Sequence, residues 1–397
     1  MHNLRKTFFV MGIGMIAVTS LTAGRSSGNT VSGLNPADFD TTLNGKKVEL
    51  VTLTNGRGME VCLTNYGGRI VSISVPDKNG KATDVVLGYD NIRQYADTLN
   101  TPSDFGSSVG RYANRIKNAR INVGGKVYHL RANDNGNTLH GGGPTGWLNK
   151  VYDIQQRTDS SVTFAITAPD GENGFPGTVK ATATYLVKGD NTLDIKFGAT
   201  TDKETVINMT NHSYFNLNGD PSKEGVDQVM YINADKFTPS DAKYIPTGEI
   251  RDVTGTPMDF RKPHAIGETI TDTAFDQIRN ATGYDHNWCL NTFKNGKGDD
   301  TQVAASLYSP TTGILLQVYT NEPGLQVYTG NFQGTGIACK HGVKYPKHVS
   351  VCFESQKYPD SPTKIVEKVK GWKYSNPYLK PGQTYYSHLA YKFSVKK

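Results

Sequence analysis

The chain has 397 residues and a formal net charge of +7, with 36% hydrophobic and 20% charged residues. That length is enough for a sizeable core, and large all-β sandwiches reach it as single domains. Lys and Arg are spread along the chain and never interleave with aromatics in one run, a pattern that excludes a nucleic-acid groove and leaves no nucleic-acid partner to expect.

At the amino terminus, Arg5 and Lys6 precede an apolar stretch from Phe8 to Val18, followed by the small residues Thr19, Ser20, Thr22, Ala23 and Gly24. This basic, apolar, small order is that of a secretory signal over residues 1–24. The apolar stretch is shorter than the roughly 20 residues needed to cross a bilayer. The expectation is a bacterial protein that is exported, periplasmic or secreted, with no stable membrane insertion after cleavage. The first cysteine is Cys62, too distant for a lipid-attached terminus. Residues 25–40, rich in Ser, Gly, Asn and Thr, read as a polar linker, and 41–397 as one domain.

Beyond the linker, β-branched and aromatic runs alternate with turn clusters. Val48 to Leu53, Arg69 to Val75, Val162 to Ile166, Thr192 to Phe197, Ile314 to Tyr319 and His388 to Phe393 mostly show the period-two pattern of half-buried strands. Asp77-Lys78-Asn79-Gly80, Val123-Gly124-Gly125 and Pro169-Asp170-Gly171 supply turn chemistry between them. Only Asn91 to Tyr95 and Ile365 to Lys370 suggest a turn or two of helix. With no break and no internal repeat, the predicted fold is all-β, one large antiparallel β-sandwich. Cys62, Cys289, Cys339 and Cys352 show no ligand spacing, and Cys289 and Cys352 sit in apolar runs, so neither a disulfide framework nor a metal is expected.

Polar clusters punctuate the strands: Gly110 to Ile116, Asn137 to Gly143, Thr210 to Leu217, Gly283 to Trp288, Leu325 to Asn331, and Phe353 to Gln356. Glu354 ends the strand-like run Val349-Ser350-Val351-Cys352-Phe353. A carboxylate there is predicted to be buried, and burial raises its pKa towards the range of a useful general base. His212 is flanked by Asn211, Ser213, Tyr214 and Asn216, groups able to fix its tautomer and orientation. From chemistry alone, each residue reads more readily as an ordinary group, a solvated carboxylate at a strand end or a satisfied structural imidazole.

In this order, GRYANRI, NTLHGG, TNHSYFNL, IPTG, GYDHNW, LQVYTGNF, YPKH and the PDSP after Glu354 resemble the aldose 1-epimerase (galactose mutarotase) family, from about Val48 to Phe393. The resemblance implies a galactose mutarotase-like β-sandwich with a sugar cleft on one concave sheet, a monosaccharide substrate and no cofactor; the protein is expected to act as a monomer. It implies His212 as general acid and Glu354 as general base, with Asn114, Arg115, His140, Asp285 and Gln326 binding the sugar. Arg111 and Tyr214 adjoin these motifs, Arg111 more as a brace than as a contact, and His286 and Asn287 stand behind Asp285. The implied reaction interconverts the α and β anomers of free aldohexoses, galactose- or glucose-like, by ring opening and reclosure. Two other readings are a glycoside hydrolase pairing Asp285 with Glu354 and a non-catalytic carbohydrate-binding protein. One departure follows PDSP: Thr363 to Tyr378 is longer than the family's usual connection, Lys-rich, and carries Trp372.

Overall fold

The computed structural model describes residues 28–396. The expected signal, residues 1–24, lies outside the described residues. The predicted run of strands forms two large antiparallel sheets, a smaller four-stranded one and, among the described residues, six two-stranded ladders. Nine strands line up in the order Asp153–Arg157, Ser161–Ala168, Val179–Val187, Thr192–Thr201, Tyr385–Val395, Ile314–Thr320, Ala305–Tyr308, Val229–Ile232, His264–Ala265. Six more run Tyr214–Phe215, Val351–Gln356, Gly324–Tyr328, Asp285–Cys289, Lys236–Thr238, Arg251–Asp252. A four-stranded sheet spans Leu50–Thr54, Glu60–Thr64, Arg69–Pro76 and Ala82–Asp84.

The main core takes one face from each sheet. Phe215 and Phe353 of the six-stranded sheet meet Tyr391 and Phe393 of the nine-stranded one, with the Phe215 and Tyr391 rings 4.8 Å apart, edge to face. Such a pair adds roughly 0.5–1.5 kcal/mol beyond the area it buries. Leu53, Val61 and Ile73 of the smaller sheet join the same core. Period-two patterning therefore places the layers, since each strand has one face to bury and one to spare.

Local departures have local causes. The run from Val48 to Leu53 is divided between strands Lys46–Val48 and Leu50–Thr54, because the Glu49 N–H donates instead to Asn65 Oδ1 at 3.0 Å. The first expected helical turn is Ile92–Ala96, capped by Asn91 Oδ1 accepting from the Gln94 N–H. The second sits a few residues early, at Ser361–Val366, with Pro362 in its first turn. A short helix at Asp276–Ala281 has no counterpart among the sequence expectations.

Residues 25–40 read as a linker, but the described part is packed onto the domain. Leu34 and Phe39 are buried in a second core, and a 3₁₀ turn at Pro36–Phe39 presents Phe39 to it. Ser32 Oγ donates to Ser72 Oγ at 2.9 Å, which anchors the segment further. Composition misled because the two apolar side chains that decide its fate are diluted among polar ones.

Candidate active site

On Val351–Gln356, Val351 and Phe353 face the main core, so Cys352 and Glu354 point to the opposite face. The same alternation on Gly324–Tyr328 buries Leu325 and Val327 in the core and sends Gln326 and Tyr328 the other way. Register aligns these faces: Glu354 lies opposite Gln326, Gln326 opposite Asn287, and Tyr328 opposite Asp285. A slip of one residue on any strand would turn its polar group into the core. Gln326 Nε2 then reaches diagonally to Asp285 Oδ1 at 2.7 Å.

His212 comes from a separate ladder. It ends the strand Thr210–His212, opposite Ser107, and its carbonyl accepts from the Gly106 N–H at 2.9 Å. Its Nε2 stands 3.3 Å from Glu354 Oε1. The ring stacks on Tyr214, with centroids 4.9 Å apart and planes 21° apart, and meets His140 edge-on at 5.3 Å. Of the four neighbours expected to orient it, Tyr214 touches the ring. Asn211 Nδ2 donates to the Gly106 carbonyl and Asn216 Nδ2 to the Val349 carbonyl, so both amides brace backbone instead. Stacking and packing set the plane of this imidazole.

Asn114 and His140 hold one another. The Asn114 N–H donates to His140 Nδ1 at 3.2 Å, and the His140 N–H to the Asn114 carbonyl at 3.2 Å, both residues having positive φ. With Nδ1 accepting, a neutral His140 carries its proton on Nε2 and is a donor there. Close backbone approach makes this possible: a Cβ on Gly141 would lie 2.4 Å from the Gly110 carbonyl oxygen. Arg115 donates through Nε to Asp134 Oδ2 at 2.7 Å and lies over the Tyr244 ring, its Cζ 4.7 Å from the centroid.

These groups enclose a cavity of about 320 Å³, whose walls include Asn114, Arg115, His140, His212, Asp285 and Glu354. Six of the seven residues expected at the site therefore line one space. Gln326 is buried behind that wall and reaches the cavity through Asp285. Tyr214 lines it under His212. Arg111 does not: its Nη1 donates to the Pro176 and Gly177 carbonyls at 2.8 and 3.0 Å, which makes it a brace. His286 turns inward against Phe237 and Trp288, and buried Asn287 stands behind the cavity.

Burial dominates the electrostatics. It pushes the Glu354 carboxyl well above the usual carboxylate range, and the charges of Asp285 and Asp104 push the same way. Burial lowers His212, while Asp104 and Asp285 oppose that shift. His140 falls to about 3, again by burial, so it stays neutral. Glu354 Oε2 is buried with no hydrogen-bond partner among the described residues, an arrangement costly unless a ligand's hydroxyl meets it.

A family model for aldose 1-epimerases matches residues 49–392. The chain belongs to the aldose 1-epimerase family. A galactose mutarotase from Mus musculus is 40% identical over 337 residues, 85% of this chain and 92% of that one. An aldose 1-epimerase from Escherichia coli (strain K12) is 36% identical over 349 residues, 88% of this chain and 96% of that one. Among solved structures, galactose 1-epimerase from Lactobacillus acidophilus NCFM matches with a TM-score of 0.75 at 28% identity, covering 90% of this chain and 97% of its own.

Within this epimerase, two cavity features carry no sequence motif. Asp104 lines the wall, as does the segment containing Thr335, Ile337 and Cys339, while Phe332, the last residue of LQVYTGNF, lines it beside them. Nothing in Ser103-Asp104-Phe105 marks an active-site carboxylate, since it precedes the recognisable GRYANRI by several residues. Asp104, His140 and His212 place one donor atom each within 4.8 Å of one another, the spacing of a metal cluster. The Nε2–H that His140 is left with makes it a hydrogen-bond donor rather than a ligand, so the trio reads as a proton-holding set. All four cysteines are unpaired. The Thr363 to Tyr378 segment packs behind the site, with Trp372 fully buried edge-on to Tyr358, and in the PDSP turn just before it the Asp360 N–H donates to the Arg115 carbonyl at 2.8 Å.

Proposed function

We propose that Glu354 and His212 catalyse interconversion of the α and β anomers of free aldohexoses, galactose- or glucose-like, as an acid–base pair. The carrying observation is the Glu354 carboxylate, buried, with Oε1 3.3 Å from His212 Nε2 and Oε2 unpartnered. Glu354 removes the proton from the anomeric hydroxyl while His212, as imidazolium, gives one to the ring oxygen. The C1–O5 bond breaks, the aldehyde turns about C1–C2, and reclosure on the other face returns both protons. Each transfer is worth roughly 10²–10⁴-fold. Arg115 and Asn114, with the His140 Nε2–H and Asp285, offer donors and an acceptor to ring hydroxyls and hold C1 and O5 against the pair. Gln326 fixes Asp285 from behind. A hydrolytic Asp285/Glu354 pair leaves the imidazole against Glu354 without a duty, and a purely binding site has no use for a pKa-shifted pair. We further propose that the protein works as a monomer outside the cytoplasm. The basic, apolar, small order of residues 1–24 supports export, and a cavity walled by one chain supports the monomer.

Polarimetry on freshly dissolved galactose, glucose, xylose and arabinose tests the reaction. Catalysed decay of rotation towards equilibrium is expected for the aldohexoses. Release of a sugar from a glycoside with no effect on free-aldose rotation would overturn it.

A further inference from the structure

Asp104 is an acidic group in the cavity wall to which the acid–base chemistry above gives no task. Its backbone is pinned: its carbonyl accepts from the Ser107 N–H at 3.1 Å and from Ser107 Oγ at 2.9 Å. Ser107 is the residue paired across the ladder with His212. The turn that carries Asp104 is thus tied to the strand that carries the acid, and its carboxylate comes within 4.8 Å of donor atoms on both His212 and His140. That carboxylate makes no hydrogen bond or ion pair with another described residue and is partly open to the cavity.

We propose that Asp104 is a positioning residue that holds the proton on His212, so that the buried pair rests as imidazolium and carboxylate rather than as imidazole and carboxylic acid. The inference builds on the epimerase reading of the same site. The pair holds one proton in its working state, and burial alone favours the arrangement without charges. That arrangement is the wrong one for a closed ring, which needs a proton donor at O5 and an acceptor at the anomeric hydroxyl. A fixed negative charge on the imidazole side tips the pair the other way. Asp104 forms and breaks no covalent bond. The proton travels from the anomeric hydroxyl to Glu354 and from His212 to O5, and Asp104 stays ionised throughout.

The charges facing His212 come from several elements. Asp104 from the turn before Ser107 and Asp285 from the six-stranded sheet favour the imidazolium, with Asp104 the larger. Glu354 touches it at Nε2. Arg69 opposes them, and His140 stays neutral. Tyr214 and Tyr328, in ring contact with His212, are held neutral by burial. The asymmetry is geometric: Asp104 comes within 4.8 Å of a His212 donor atom in a cluster that leaves out Glu354, while Asp285 stands ahead of Asp104 among the charges that raise Glu354. Burial works against ionising Asp104, but neighbouring positive charge from His212, Arg69 and Arg115 brings its pKa below the usual carboxylate value.

Asp104→Asn keeps the shape and removes the charge. Two measurements on the full chain read the result. Without sugar, histidine NMR titration, with the His212 signal assigned by its loss in His212→Asn, should show the His212 pKa falling by about 1–2 units, as expected for losing an opposite charge at this range. With sugar, the bell-shaped kcat profile should move to lower pH by about one unit, because a lost anion lowers the pKa of both partners. At neutral pH kcat should fall about tenfold or more while KM changes little. Asp104→Glu, which restores the charge, should recover the wild-type bell. An unmoved His212 titration, or an unmoved bell with a raised KM, overturns the inference and makes Asp104 a sugar contact. A wild-type protein that fails to interconvert anomers would instead sink the epimerase reading, and the NMR titration would still decide what Asp104 does to His212.

Discussion

At the scale of single residues, the site is a contest between burial and charge. Burial raises Glu354 and lowers His212, so their separate titrations merge into those of one coupled pair. The kcat profile should be a bell whose active centre is the one-proton state. It falls on the acid side as the pair takes a second proton and on the basic side as it loses its last. Glu354→Gln should fold, bind sugar and lose roughly 10²–10⁴-fold in kcat, and His212→Asn should lose comparably. The double variant should lose less than the product of the two, because both act on one event. Stopped-flow polarimetry with a separate sugar-binding titration checks this. A folded, sugar-binding Glu354→Gln enzyme of near-normal rate would remove the carboxylate from the chemistry. Asp285→Asn should act on KM, since a lost hydrogen bond to a charged group is worth ~1.5–3 kcal/mol and the group lies off the reacting bond. A kcat collapse at constant KM would put Asp285 into the chemistry and revive the hydrolytic reading.

At the scale of elements, the cavity exists because strands and loops meet at tight points. Gly141 has φ of +71° and no room for a Cβ against Gly110 and Arg111. Gly141→Ala should therefore cost more than ~1 kcal/mol and weaken sugar binding together with stability, because the displaced loop carries His140. Urea unfolding and the KM for galactose, measured on one preparation, would show whether the two losses travel together. The Thr363 to Tyr378 segment makes a contrasting case. Trp372→Ala should destabilise by ~3–5 kcal/mol and, below the melting transition, leave kcat near wild type, since Trp372 packs on Tyr358 and stays out of the cavity wall. A selective loss of turnover in a fully folded variant would show that the segment reaches the chemistry through the Asp360–Arg115 contact.

At the scale of the whole molecule, the proposed export signal and the packed segment after it lead to different expectations. If residues 1–24 are an export signal, the mature protein begins between roughly Thr19 and Ser27, which amino-terminal sequencing from exported material reads directly. An intact Met1 on membrane-embedded protein would refute export by cleavage. Removing residues up to Asp40 should cost far more than trimming a linker. Leu34 and Phe39 are buried, and each truncation of a buried side chain costs ~2–5 kcal/mol. A deletion variant with an unchanged melting temperature would contradict that packing.

Much of this protein was legible in the chain, for identifiable reasons. Period-two runs such as Arg69 to Val75 and Ile314 to Tyr319 have one apolar face, and a strand must bury it, so sequence alone determined an antiparallel sandwich. Motif resemblance marked His212, Glu354, Asn114, Arg115, His140 and Asp285, and the fold brings these six into one cavity. The rest depended on tertiary structure, because it rests on distances between residues far apart in sequence. Which face each strand buries follows from register, and register sets Gln326 behind Asp285 instead of in the wall. Neighbours in sequence were partial guides to neighbours in space: of the residues flanking His212, Tyr214 stacks on its ring while Asn211 and Asn216 brace backbone, and His140 and Asp104 come to it from distant parts of the chain. Asp104 had no motif to reveal it. Its importance comes from where a turn is tied, and a carboxylate acts through the charges within a few ångströms of it.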